Sequence, residues 1–156
     1  MNSYCSLYVM VVFGCKYRLA LIDERWNQQL YKLFSSLTDD YGQGSKLIAA
    51  GGIADHVHLL LSLSQNVAPS NLIREIKSRS SHWVNNNKFC MGRFGWQNGC
   101  GYFSFSVSAL NDVKQYVLNQ KEHHRGRGFR DEMMALYKKH GFMFKKLFKI
   151  RIEKML

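Results

Sequence analysis

The segment ADHVHLLLSLS, residues 54–64, carries the pattern from which the rest of the chain can be interpreted. His56 and His58 flank one valine inside a run that is otherwise typical of a buried strand. Because successive side chains of a strand point to opposite faces, both imidazoles lie on one face. An H-x-H pair on a strand is compatible with a metal site and equally with two surface histidines. The opposite face is uniformly apolar and should contact helices, since it carries Val57, Leu59, Leu61 and Leu63.

A second segment, YFSFSV at residues 102–107, alternates in the same way and predicts the fourth strand of the same sheet. Phe103 and Phe105 share one face, and Tyr102 and Ser104 share the other. We therefore expect the histidines on the more polar face of the sheet, which stays open for a ligand or a further element.

Composition indicates a single domain over residues 1–156 with room for one sizeable core, since 46% of the residues are hydrophobic. The formal net charge of +11 favours a polyanionic partner such as nucleic acid, although many small basic proteins have none. No apolar run is long enough to span a bilayer, and we identify no signal peptide. We therefore expect a cytoplasmic protein without membrane contact.

The order of predicted elements indicates an α+β fold. A long strand over residues 3–18 precedes a helix that begins at Asp23, and KLIAAGGI is the strand before the histidine segment. Pro69 opens a second helix, and after the fourth strand a third helix runs from Ser108 to about His124. A last helix covers FRDEMMALYKKHG. The order β-α-β-β-α-β with two further helices predicts a ferredoxin-like, four-stranded antiparallel sheet.

The third predicted helix, NDVKQYVLNQKEHH at residues 111–124, places two functional groups on one face. Tyr116 and Gln120 are four residues apart, so they lie one above the other. A phenol oxygen can act as a covalent nucleophile, and an amide oxygen can bind a hard divalent ion. The spacing alone is also that of an ordinary helix with a polar flank.

Several motifs in a fixed order make the chain resemble a known family. They are KYR at residues 16–18, ADHVHLLL, KSRSS at 77–81, WQNGCGYFSFSVS at 96–108, VKQYVLNQKEHH and FRDEMMAL. Over roughly residues 4–140 the sequence is similar to the single-tyrosine HUH transposases of the insertion sequence 200/605 group, in which HUH denotes histidine, hydrophobic residue, histidine. The resemblance implies an RRM-like sheet with the tyrosine on C-terminal helices.

The resemblance also implies a reaction. Family members cut and rejoin single-stranded DNA at the ends of a mobile element through a 5′-phosphotyrosine linkage. Carried over to this sequence, His56 and His58 bind Mg²⁺ or Mn²⁺, Gln120 completes the protein ligands, and Tyr116 is the catalytic nucleophile. The expected partners are single-stranded DNA hairpins and a second copy of the chain. The tyrosine helix of such a homodimer can serve either subunit, and we favour attack in trans.

Residues that contact DNA are expected on the second helix and the loop that follows it. A guanidinium or ammonium group there can contact phosphates, and an aromatic ring can stack on unpaired bases, although aromatic residues beside a strand more often belong to the core. The candidates are Arg74, Lys77, Arg79, Arg93 and Trp96.

Two other interpretations stay open. A domesticated relative would use the same chemistry to process repeated palindromic sequences, and matched palindromes beside the gene would distinguish the mobile element. A non-catalytic RRM-like module would bind single-stranded nucleic acid without cleaving it. The final segment, residues 141–156, is a basic amphipathic tail that matches no motif of the family.

Overall fold

A four-stranded antiparallel sheet organises residues 3–141, the part of the chain that the computed structural model describes. The strands are β1 (Tyr8–Gly14), β2 (Lys46–Ile53), β3 (His56–Ser62) and β4 (Gly101–Phe105), in the spatial order β2-β3-β1-β4. The predicted ferredoxin-like α+β fold is therefore confirmed. The predicted tail at residues 141–156 lies outside the described residues except for Gly141. Within residues 3–141 no helix has the length and apolar character that a membrane span requires.

Helices cover both faces of the sheet. Helices α1 (Asn27–Tyr41) and α2 (Pro69–Asn86) pack on one face around a core that contains Phe13, Phe34, Leu59 and Ile76. On the other face lie α3 (Leu110–Leu118), α4 (Gln120–His123) and α5 (Phe129–Lys139), and a second core there contains Met10, Leu60, Val117 and Met133. The face that we expected to be open is thus occupied by a further element, the three C-terminal helices.

The face assignment of β4 differs from the sequence-based expectation. Phe103 pairs with Met10, which in turn pairs with Leu60 of β3, so these three side chains lie on the same face as the histidines. Phe103 belongs to the second core, and Tyr102 lines a cleft beside α2 instead. Alternation within one strand separates its two faces, but only the register between strands decides which face is which.

Two predicted boundaries also differ. The strand predicted over residues 3–18 ends at Gly14, and a 3₁₀ turn over Lys16–Arg18 follows, with left-handed backbone at Tyr17 and Arg18 (φ 58° and 57°). The helix predicted from Ser108 to about His124 is divided at Asn119 into α3 and α4. Both irregularities lie next to the histidine pair in the fold, where Arg18 and Gln120 are positioned.

Glycine at position 51 allows α3 to lie directly against β2. A Cβ atom at this position would stand 1.9 Å from the backbone oxygen of Val117, which is far inside van der Waals contact. The obstructing atom belongs to the backbone, so no side-chain rotation could relieve the overlap. The close packing of α3 against its own sheet therefore requires Gly51.

Replacing Gly51 by Ala should lower the free energy of unfolding by about 1–3 kcal/mol, as for overpacking elsewhere. Gly126→Ala is the matched control, because a Cβ atom there would meet nothing within 4 Å. The control should be neutral or stabilising by up to about 1 kcal/mol. Urea denaturation of both variants measures the difference. Equal stabilities for the two variants would show that α3 does not pack in this way.

Candidate active site

Strand β3 places His56 and His58 beneath the C-terminal helices. Both side chains are fully buried, with 0% exposure, and their ring centroids lie 5.2 Å apart. They are therefore not surface histidines. Burial lowers the pKa of His58 to about 4, which leaves its imidazole neutral at neutral pH. A neutral imidazole is the form that can donate a lone pair to a metal ion.

An ion pair orients the first of these histidines. The Oδ1 atom of Asp55 lies 2.7 Å from His56 Nδ1, and Arg18 Nη2 lies 3.2 Å from Asp55 Oδ2. Burial opposes ionisation of Asp55, but hydrogen bonds from His56 and Arg18 hold its pKa below the usual value. The carboxylate thus accepts a hydrogen bond from Nδ1–H and directs His56 Nε2 toward the C-terminal helices, as carboxylates do for metal-binding histidines.

Helix α3 brings Tyr116 to the histidine pair of its own chain. The ring centroids of Tyr116 and His58 are 5.6 Å apart, and the tyrosine side chain is half-buried. The expectation of a tyrosine that acts in trans therefore differs from this arrangement. The close packing of α3 over Gly51 is the physical reason, because it fixes the tyrosine helix on the sheet that carries the histidines.

A buried carboxylate from α5, Glu132, lies at the centre of the site. Its Oε1 atom accepts a hydrogen bond from the Tyr116 hydroxyl and lies 3.2 Å from His58 Nε2. Its Oε2 atom lies 3.3 Å from His56 Nε2 and 2.7 Å from His124 Nε2. Burial disfavours the charged carboxylate, but the close imidazole nitrogens of the two β3 histidines hold the pKa of Glu132 well below its usual range. The group is therefore ionised.

The same surroundings make the Tyr116 phenol harder to ionise. Burial raises its pKa, the Glu132 carboxylate raises it further, and the Gln120 side chain opposes the rise only in part. The hydroxyl is thus a protonated donor that is held in place by Glu132.

Gln120 opens α4, one turn beyond Tyr116, and is 1% exposed. Its Nε2 atom donates a hydrogen bond of 2.8 Å to the backbone oxygen of Tyr116. Its Oε1 atom is buried without a hydrogen-bond partner in the described part of the chain. A buried amide oxygen of this kind is a suitable ligand for a divalent cation.

The residues around Glu132 fit a metal ion. One ligand atom from each of four residues lies within 4.8 Å of the others: His56, His58, His124 and Glu132. Atoms that bind one ion at about 2.1 Å stand about 3.0–3.5 Å apart, which is close to the spacings found between these nitrogens and the carboxylate. Among the described residues, the Nε2 atoms of the three histidines have no geometrically acceptable hydrogen bond. A bound cation would provide the missing partner for these buried nitrogen atoms, which converge on one point.

The sequence patterns assigned no role to Glu132, although this residue lies in the FRDEMMAL motif. A signal for a buried carboxylate was nevertheless present. Phe129, Met133 and Leu136 form an apolar stripe at helical spacing, and Glu132 falls on that stripe. A carboxylate on the buried side of a helix requires a partner, which here is the histidine cluster.

Two of the five residues expected to contact DNA make hydrogen bonds within the chain. The Lys77 ammonium donates hydrogen bonds of 3.0 and 2.5 Å to the backbone oxygens of Gln97 and Gly99. Trp96 is 8% exposed, and its Nε1 atom donates a hydrogen bond of 2.9 Å to Ser80. Its ring packs at steep angles against Phe13 and Phe94 in the first core.

The other three expected contacts, Arg74, Arg79 and Arg93, are exposed. Arg79 pairs with Glu75 at 3.0 Å and lies over the ring of Tyr41. Two clefts lie along this side of α2, with volumes of about 440 and 830 Å³. Arg74 lines the smaller cleft, and Arg79 and Arg93 line the larger one.

The sequence itself identifies the class of protein. Residues 3–120 match the family described as "Transposase IS200 like", so the chain belongs to the IS200-like transposases. No curated protein matches the sequence. His124 and Glu132 lie beyond the matched residues.

Two solved structures share the fold. One is a protein of Deinococcus radiodurans R1 assigned as a transposase, with 18% identity and a TM-score of 0.58 over 77% of this chain and 95% of that one. The other is a REP-associated tyrosine transposase bound to a REP hairpin, with 16% identity and a TM-score of 0.58 over 80% of this chain and 75% of that one. At these identities the likeness concerns the fold alone.

Proposed function

We propose that this IS200-like transposase cleaves and rejoins single-stranded DNA at the ends of a mobile element, through a metal-dependent reaction with a 5′-phosphotyrosine intermediate. The observation that carries this proposal is the meeting of Tyr116 with the buried His56 and His58 in one chain. A non-catalytic binding module would have no need for such a costly buried polar cluster beneath its helices. Buried imidazole nitrogens without hydrogen-bond partners beside a tyrosine hydroxyl support an enzyme instead.

Three residues form the proposed core of the metal site: His56, His58 and Gln120. Asp55 fixes the orientation of His56, and the amide nitrogen of Gln120 is tied to the backbone of Tyr116, so its oxygen is free for a cation. A bound Mg²⁺ or Mn²⁺ ion would polarise the scissile phosphate and neutralise the charge that develops on it.

Tyr116 is the proposed nucleophile. Its phenol oxygen forms a bond to phosphorus while the bond between phosphorus and the 3′ oxygen breaks, and the phenol proton ends on the 3′-hydroxyl that leaves. One phosphodiester replaces another, so the reverse reaction rejoins DNA without an external energy source. Glu132 accepts the hydroxyl hydrogen bond and thereby holds the attacking oxygen beside the histidines.

Single-stranded DNA hairpins are the proposed partner. The net charge of +11 supports a polyanion, and one protein with a similar fold is bound to a REP hairpin. Arg74, Arg79 and Arg93 are the side chains we place against its phosphates.

A homodimer remains part of the proposal on the strength of the family resemblance. No uncovered sheet face favours it, since α3–α5 cover the face that carries the histidines. Tyr116 lies beside His58 of the same chain, which supports attack within one subunit. We therefore propose that a dimer would pair two sites that are each complete.

The chain should form a covalent adduct with labelled single-stranded DNA taken from the flanks of its own gene, in the presence of Mg²⁺ or Mn²⁺. Denaturing gel electrophoresis detects the adduct. Tyr116→Phe should form none, and His56→Ala or His58→Ala should abolish cleavage while hairpin binding stays within about threefold, because phosphate contacts supply most of the affinity. Tyr31→Phe on α1 is the matched control and should remain active. An adduct formed by Tyr116→Phe would remove the tyrosine from the mechanism.

Substitutions along α2 should separate DNA contacts from structural residues. Arg74→Ala should weaken hairpin binding and lower the slope of log K against log salt by about 1, with stability unchanged. Lys77→Met should instead lower the free energy of unfolding by about 1–2 kcal/mol, because two loop carbonyls lose their donor. Binding titrations at several salt concentrations and urea denaturation measure the two effects. A stable Lys77→Met variant with a reduced salt slope would make Lys77 a DNA contact after all.

A further inference from the structure

A third imidazole and a carboxylate stand beside the two histidines of β3. We propose that His124 and Glu132 are metal ligands together with His56 and His58, and that this set of three imidazoles and one carboxylate selects a transition-metal ion over Mg²⁺. The inference rests on the proposed function only in that both place a metal ion at the histidine pair.

The distances support one common ion. The Oε2 atom of Glu132 lies 2.7 Å from His124 Nε2 and 3.3 Å from His56 Nε2, and its Oε1 atom lies 3.2 Å from His58 Nε2. All four residues present a ligand atom within 4.8 Å of the others. The three distances between the carboxylate and the imidazole nitrogens are close to those between neighbouring ligands of a single ion.

The hydrogen-bonding state of these atoms points the same way. The Nε2 atoms of His56, His58 and His124 and the Oε2 atom of Glu132 are buried, and none makes an acceptable hydrogen bond within residues 3–141. The other nitrogens of two of these rings are already occupied. His56 Nδ1 is held by Asp55, and His124 Nδ1 lies 2.8 Å from the backbone oxygen of Arg127. Each of these two rings therefore directs its other nitrogen into the cluster, because a hydrogen bond at Nδ1 fixes the ring orientation, as it does for metal-binding histidines.

The position of Glu132 is fixed by packing. Phe129, one turn earlier on α5, packs against the His56 ring with centroids 4.3 Å apart, and the Arg18 guanidinium lies 4.0 Å from the centroid of the Phe129 ring. Met133 and Leu136 anchor the same helix in the second core. The carboxylate is thus held at the cluster by the buried face of α5.

The chemistry of the ligand set predicts selectivity. Mg²⁺ prefers oxygen ligands and keeps several of its waters, whereas imidazole nitrogens suit later divalent ions. Affinity of such a site should rise from Mn²⁺ to Co²⁺ along the first transition row. A site with two imidazoles and an amide oxygen would discriminate less against Mg²⁺.

The test is a titration of the metal-free full-length chain with Co²⁺, Mn²⁺ and Mg²⁺ by calorimetry. We expect one ion per chain and at least about tenfold tighter binding of Co²⁺ and Mn²⁺ than of Mg²⁺. Glu132→Gln and His124→Ala should each weaken Mn²⁺ binding by at least about tenfold. Asp131→Asn and His82→Ala are the controls, since both residues are exposed. These substitutions remove a carboxylate and an imidazole, as the two site substitutions do.

A spectrum separates ligation from a merely structural role. The visible absorption of bound Co²⁺ reports its ligands, so saturated Glu132→Gln and His124→Ala proteins should give spectra that differ from that of the parent, while both control variants keep it. Circular dichroism confirms that each variant is folded.

Unchanged affinity and an unchanged Co²⁺ spectrum in both site variants would overturn the inference, as would tighter binding of Mg²⁺ than of Mn²⁺. The two proposals fail separately. If Glu132→Gln loses affinity but the parent never forms a DNA adduct, the proposed function fails and the ligand set stands. If adducts form and the site variants bind metal normally, the ligand set fails and the function stands.

Discussion

The close packing of α3 against β2 at Gly51 is the constraint on which the site depends. It leaves no room for a Cβ atom and so holds the tyrosine helix to the sheet of its own chain. Tyr116 consequently lies beside His58, and α4 and α5 follow along the same face. The second hydrophobic core is formed by that docking. The second core and the assembly of the reactive groups therefore both depend on the close approach that Gly51 permits.

The site joins elements that are distant in sequence through a single carboxylate. Glu132 contacts groups from β3, α3 and the segment after α4. Tyr116, Arg127 and Glu132 line two cavities of about 390 Å³, so the cluster is reachable from the tyrosine side despite its burial. A nucleic-acid backbone that reaches the phenol would meet the histidines from that direction. Arg127 adds a positive charge at the same entrance.

The sequence predicted the order of elements because hydrophobic periodicity and turn residues are local signals, and it predicted the histidine pair because strand alternation is local as well. It did not predict that the apolar face of β4 lies on the same side of the sheet as the histidines, since that depends on the pairing of Met10 with Phe103. Nor did it assign Glu132, whose role exists only when α5 packs across the sheet. The proposal that Tyr116 acts in its own subunit likewise depends on the contact at Gly51, which no periodicity reveals.

The claim that one chain carries a complete site is tested most directly by mixing two inactive subunits, Tyr116→Phe and the His56→Ala, His58→Ala double variant. The two carry different tags, and co-purification verifies that they associate. If the tyrosine acts in its own subunit, neither site of the mixed assembly is complete, and no adduct with labelled DNA should form. Recovery of the adduct in the verified mixture would contradict the account, because it would require Tyr116 of one subunit at the histidines of the other.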